Sequence, residues 1–294
     1  MTQETAQIAA PIIGNGLYQR RARLAFPLLV RQARSRTAVT YTDLADELGM
    51  PNPRNLNYPL GSIGRTIENL SKKWKEKIPP IQALVVSRNT GLPGEGIGFF
   101  LRDWGDFGEL TRRQQREIVA GAHSMIFAYP RWDEVLEAVS LKPIHSDYSG
   151  IVSDASKLRS GSGRGGGEGE RHDMLKRYVA QNPTCIGLPL GTPTGALEVA
   201  LASGDCLDVS FQLASKWVAV EVKSSISGPA DIVRGLFQCV KYRAVMAATQ
   251  AASGVLQDAR AVLVLEGKLD QEHVPLRNIL GVEIFDGISG ISSG

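Results

Sequence analysis

The segments GDCLDVSF (204–211), WVAVEVKSS (217–225) and FQCVKYR (237–243) decide the fold of the C-terminal half of this chain. The first two are short runs of β-forming residues separated by LASK, a turn. Strand alternation sets Glu221 and Lys223 on one face and Val218, Val220 and Val222 on the other, where a core would want them. Trp217 and Ala219 share the face of the charges, so those charges are expected to be partly buried. Asp208 lies near the start of the neighbouring run. Two carboxylates and an ammonium on adjacent strands suit the hydrolysis of a phosphodiester with the help of a divalent cation. The acids hold the ion, and the ion neutralises charge and lowers the pKa of a bound water. Lys223 then orients that water or stabilises the developing negative charge. A cross-strand ion pair on a solvated sheet face is the plain alternative.

Working outward, residues 168–181 read as a helix with Glu168, His172, Leu175 and Val179 on one stripe. An apolar CIGLPL (185–190) precedes the two strands. A long helix runs from about Pro229 to Ala251, with proline at the first helical position and Asp231 in the first turn. ARAVLVLEG is a further buried-type strand, LRNIL a short helix and VEIFDG a last strand. The order α-β-β-β-α-β-α-β makes an α/β domain around a mixed sheet. Gln238 and Tyr242 stand one turn apart on the long helix and point the same way. Glu168 is the preferred fourth acid, with Glu170 its competitor, and His172 shares the stripe as either a packed side chain or a neighbour of the metal. Asp205, Lys241 and Arg234 are candidates for phosphate-proximal positions.

Asp208, then Glu221-Val222-Lys223, then Gln238 through Tyr242 resemble the PD-(D/E)xK nuclease superfamily, and the QxxxY spacing is similar to that of its RecB-like members and some restriction endonucleases. The resemblance spans residues 168–286. It implies an αβββαβ core and Mg²⁺, with Mn²⁺ as substitute, held by Asp208, Glu221, the Val222 backbone carbonyl and Glu168. It also implies that Gln238 and Tyr242 flank the metal site and contact the DNA backbone or Lys223. One departure is Leu207, where the superfamily pattern has proline.

The N-terminal half reads differently. Residues 16–77 carry 12 Lys and Arg against 5 Asp and Glu, whereas residues 151–294 carry 14 against 15. A basic domain joined to a neutral one points to a polyanion held by the first. Residues 17–35 have a helical pattern interrupted by Pro27. Thr40 or Thr42 opens a helix through DLADELG, with Gly49 as C-cap. Residues 60–77 form another helix, with Ile63, Ile67, Leu70 and Trp74 on its apolar stripe and Arg65, Lys72, Lys73, Lys75 and Lys77 on its other face. QALVVS and IGFFL follow as the two strands of a hairpin. Three helices and a β-ribbon predict an α+β winged-helix domain that lays one helix on DNA. Residues 109–140 predict two more helices. The run VTYTDLADELG with IPPIQALVVSRNTGLPG resembles the winged-helix half of alkyltransferase-like proteins. Pro79-Pro80-Ile81 replaces that family's active-site cysteine motif, so DNA binding carries over and alkyl transfer does not.

Residues 146–167, rich in Gly and Ser, read as a flexible linker between domains at 1–145 and 168–294, with Arg159 and Arg164 within reach of a phosphate backbone. Cys185, Cys206 and Cys239 show no CxxC spacing and read as buried thiols in a reducing compartment. No signal peptide or membrane span is indicated, which makes the cytoplasm the expected location. The expected function is a Mg²⁺-dependent DNA endonuclease in restriction or defence, acting as a homodimer when it cuts both strands. Two alternatives are a DNA-binding regulator whose nuclease-like domain does not cut, and a structure-specific repair nuclease.

Overall fold

The computed structural model describes residues 8–101, 105–145, 147–157, 166–255 and 257–289, without the side chains of residues 154–157 and 166–168. The chain forms two compact units, Met1–Ser146 and Asp147–Gly294. The second unit thus takes in residues 147–167, which were expected to form a linker between the domains. No helix among the described residues is long and apolar enough to cross a membrane.

In the first unit, α1 (Leu17–Ser35) is followed by β1 (Val39–Thr40), α2 (Tyr41–Glu47), α3 (Asn57–Trp74), β2 (Val85–Val86), α4 (Arg112–Ala128) and α5 (Trp132–Glu137). The Thr40 hydroxyl accepts the Asp43 amide and caps α2, and Gly49 follows its end with φ +63°. α1 is not interrupted at Pro27: the helix continues through it, because Ala22, Ala25, Phe26, Leu29, Val30 and Ala33 on both sides are drawn into the same core. α3 forms as its spacing predicts, with Ile63, Ile67 and Leu70 buried. The expected hairpin does not form among the described residues. Gln82 lies in a 3₁₀ turn (Ile81–Leu84), and a second 3₁₀ turn spans Glu95–Phe99. β2 instead pairs in parallel with β1, Val39 against Val85. Ile81, Ala83, Leu84 and Val85 are all fully buried, so this segment lacks the half-exposed alternation of a ribbon. The first unit is therefore a helical core with a two-residue parallel pair.

The second unit holds α6 (Ser149–Lys157), α7 (Gly166–Gln181), β3 (Ala196–Ala200), β4 (Cys206–Gln212), β5 (Lys216–Lys223), α8 (Pro229–Ser253), β6 (Asp258–Leu265), α9 (Val274–Leu280) and β7 (Glu283–Phe285). The sheet order is β3-β4-β5-β6-β7, antiparallel across the first three strands and parallel from β5 onward. The mixed α/β sheet and its order of elements match the expectation. The first strand, however, is Ala196–Ala200. CIGLPL instead begins in a 3₁₀ turn that ends at Gly187, φ +71°. α6 occupies the first part of the expected linker, and Tyr148 before it packs on the apolar cluster that also holds residues of α8. Arg159 and Arg164 lie outside the described residues.

Each face of the sheet packs against a long helix. Val218, Val220 and Val222 pack with Leu175 and Val179 of α7, whereas Trp217 and Ala219 pack with Val233, Leu236, Cys239 and Met246 of α8. Each fully buried Val or Leu contributes about 1.5–3 kcal/mol, which fixes the strand register against a one-residue slip. That register carries Glu221 and Lys223 onto the α8 side.

Candidate functional site

β4 changes face at Asp208. Leu207 belongs to the cluster on the α8 side and Val209 to the cluster on the α7 side, although residues two apart in a regular strand share a face. The paired register of β4 with β5 runs from Gln212–Trp217 to Val209–Val220 and stops one residue short of Asp208. On the other side, the β3–β4 register skips the position where Glu198 would meet Asp208, and Glu198 has φ +52°. A non-glycine residue in left-handed backbone marks a local irregularity of the bulge kind. The Asp208 carboxylate fills the gap: its Oδ2 accepts the Val222 amide at 2.9 Å. Its Oδ1 lies 3.3 Å from His172 Nε2 of α7.

Glu221 is 3% exposed and both its oxygens are engaged. Lys223 Nζ donates to Oε1 at 2.6 Å, and the Tyr242 hydroxyl donates to Oε2 at 2.8 Å, with the Cys206 carbonyl 3.2 Å away as a second acceptor. Gln238 closes the circuit. Its Oε1 takes Lys223 Nζ at 3.4 Å and its amide nitrogen donates to the Tyr242 hydroxyl at 3.3 Å. Glu221, Lys223, Gln238 and Tyr242 thus form a ring of four hydrogen bonds. α8 supplies two members because residues four apart stack on one helix face. Burial raises the Glu221 carboxyl above its ordinary value, and the nearby Asp208 charge raises it further, against the opposing effect of Lys223. Burial and the Glu221 charge likewise push the Tyr242 phenol up, keeping it a donor.

The structure therefore brings together Asp208, Glu221, Lys223, Gln238 and Tyr242, with His172 on Asp208. The Glu168 side chain lies outside the described residues, and Glu170 is exposed. Asp205 and Lys241 pair with each other at 2.6 Å, and Arg234 is half-buried. Of the cysteines, Cys239 is buried, as expected, and burial raises its thiol; Cys206, at the start of β4, is exposed. Three neighbours were missed by the sequence reading: Lys176, Glu198 and Glu266. Lys176, one turn beyond His172 on α7, is buried and pairs with Glu198 at 2.9 Å and Asp173 at 2.8 Å. Its spacing of four from His172 was the available signal; for Glu198 there was none, since its place depends on strand register. Glu266, just after β6, binds Arg171 at 2.8 Å and accepts the Ser225 amide at 2.7 Å. The Arg171 guanidinium holds the Glu266 carboxyl below its ordinary value.

The carboxylates offer hard oxygen atoms, and the Asp208 charge adds to the cost of ionising Glu221. A divalent cation between them removes that cost, so the residues fit Mg²⁺.

In the first unit, Lys72, Lys73, Lys75 and Lys77 are exposed at the C-terminal end of α3 and just beyond it. Arg65 is half-buried, 4.4 Å over the Phe99 ring and 3.0 Å from Glu68. Beside them is a cavity of about 150 Å³ lined by Gly64, Glu68, Gln82, Phe99 and Phe100 among others. The Gln82 side chain is buried with neither its amide nitrogen nor its oxygen hydrogen-bonded.

Comparison with known proteins yields no match: no family model, no curated protein and no solved structure is significantly similar to the chain.

Proposed function

We propose that the chain is a Mg²⁺-dependent endonuclease that hydrolyses phosphodiester bonds in DNA, with Mn²⁺ as a substitute ion. The observation that carries this reading is the buried Glu221, ringed by Lys223, Gln238 and Tyr242 and set near Asp208 where the sheet ladder opens. A buried carboxylate perturbed by desolvation and by a like charge is a feature of functional sites.

Asp208, Glu221 and the Val222 carbonyl are the groups that would hold the ion, with Glu168 as a further acid. The bound ion supplies charge neutralisation and a water of lowered pKa. Lys223 orients the attacking water and stabilises the negative charge that develops on the phosphoryl oxygens. Gln238 and Tyr242 hold Lys223 and Glu221 in position, and His172 does the same for Asp208. Lys72, Lys73, Lys75, Lys77 and Arg65 of the first unit bind the phosphate backbone. Cutting of both strands requires two active sites, which a homodimer provides.

Supercoiled plasmid tests the reading. Nicking with Mg²⁺, abolished by EDTA and by Lys223→Ala in a protein whose circular dichroism is unchanged, supports it. DNA binding without cleavage by either protein, on plain and on modified plasmid, overturns it in favour of a non-cleaving DNA-binding protein.

A further inference from the structure

We propose that Asp270, Glu272 and His273 form a site for one Zn²⁺ ion, sharing no residue with the Asp208–Glu221 centre. The three lie in the connection from β6 to α9. Asp270 precedes a 3₁₀ turn, Gln271–His273, closed by the His273 amide donating to the Asp270 carbonyl at 3.0 Å. This turn brings one ligand atom from each side chain to within 4.8 Å of the others.

The imidazole distinguishes this group from an ordinary acidic surface. His273 is 3% exposed, and its Nδ1 is buried with no hydrogen-bond partner. A buried imidazole nitrogen left unpaired costs about 1–3 kcal/mol, and native structures seldom leave it so without a reason. Nδ1 faces Glu272, with Oε1 at 3.7 Å. That distance is too long for a hydrogen bond. It is close to the spacing of two ligands on one ion, since bonds of about 2.1 Å at tetrahedral angles separate ligand atoms by about 3.4 Å. Asp270 and Glu272 are exposed, so rotation of their carboxylates supplies the remaining closure. No Lys or Arg among the described residues pairs with either acid.

One imidazole nitrogen and two carboxylate oxygens suit a borderline transition ion. Mg²⁺ favours oxygen alone, whereas Zn²⁺ takes this mixed set at high affinity. Three protein ligands leave one position for water. The ion would pin the segment after β6, whose start carries Glu266 with its bonds to Arg171 and Ser225.

The test is the Zn²⁺ content of the full chain after equilibrium dialysis, with thermal melting in Zn²⁺ and in EDTA. Both replaced acids are exposed, so Asp270→Asn/Glu272→Gln keeps the fold. We expect this variant to bind one Zn²⁺ fewer per chain than wild type and to lose the Zn²⁺-dependent rise in Tm. Asp258→Asn, which replaces an exposed acid outside both centres, should keep both. An unchanged Zn²⁺ count in Asp270→Asn/Glu272→Gln overturns the site, as does a Zn²⁺-dependent rise in Tm retained in the double variant. The readout is metal content, so it stands whether or not the chain cleaves DNA.

Discussion

Gly235 of α8 faces the Lys223 side chain so closely that a β-carbon at residue 235 would lie 3.1 Å from Lys223 Cε and 2.8 Å from Leu263 Cδ1. The glycine leaves the channel through which the ammonium reaches Glu221. Gly235→Ala gains up to about 1 kcal/mol in helix propensity and loses about 1–3 kcal/mol to overpacking. We expect urea unfolding to show a net loss near 1 kcal/mol. Plasmid cleavage should fall at least tenfold, because the displaced group is Lys223. Cleavage at the wild-type rate would show that Lys223 tolerates displacement and is not placed by α8.

The ionisation of Glu221 gives a pH signature. Its carboxyl is raised above the ordinary 4.5 by burial and by Asp208. In metal-free protein its contribution to stability is therefore fully present below about pH 4.5 and is lost as the pH rises through the folded-state value. Asp208→Asn removes the repelling charge and should flatten this fall. Mg²⁺ should raise Tm at neutral pH and much less near pH 4.5. Melting curves in EDTA and in Mg²⁺ across this range check both; parallel wild-type and Asp208→Asn profiles would rule out the coupling.

Tyr242 donates to Glu221 from a buried position. Tyr242→Phe leaves Glu221 Oε2 and the Gln238 amide short of a partner, at a cost of about 1–3 kcal/mol. Cleavage should drop ten- to a hundredfold, with DNA affinity unchanged in a filter-binding titration.

Lys72 and Lys73 are exposed, and the 3.7 Å contact of Lys72 with Glu68 is a surface pair of small value. Lys72→Ala/Lys73→Ala should leave Tm nearly unchanged, weaken DNA binding regardless of sequence, and reduce the slope of log K against log salt by about 2. An unchanged slope would remove this end of α3 from the DNA interface.

Gln82 presents the opposite case, a polar group held at a cost. With both amide atoms buried and unpaired, Gln82→Met should stabilise the protein by about 1–3 kcal/mol in urea unfolding. Gly64→Ala should destabilise it, since a β-carbon there would stand 2.4 Å from Phe100 Cζ and 2.5 Å from Gln82 Nε2.

The central strands were legible in the sequence because β5 is buried on both faces and its valines alternate with Trp217, Ala219, Glu221 and Lys223. α8 was legible from Pro229 at its start. β3 was not: it is an edge strand whose residues are mostly exposed, so ALEVA carries little periodic signal, whereas the apolar CIGLPL draws attention to a turn. The hairpin expected at residues 82–101 failed for a related reason. Ile81 to Val85 is apolar throughout, and burial on all sides suits a 3₁₀ turn and a short parallel pair as well as a ribbon. Asp208, Glu221, Lys223, Gln238 and Tyr242 could be read from spacing along single elements. Lys176 and Glu198 meet only through packing of α7 against the sheet edge.

The break in the ladder at Asp208 also has a spectroscopic consequence. The Val222 amide is bound by a side-chain carboxylate. Its exchange with solvent deuterium therefore depends on the charge of Asp208 as well as on the opening of the sheet. Most amides of β5 report the stability of the unit; this one also reports whether the Asp208 carboxylate stays bound to it.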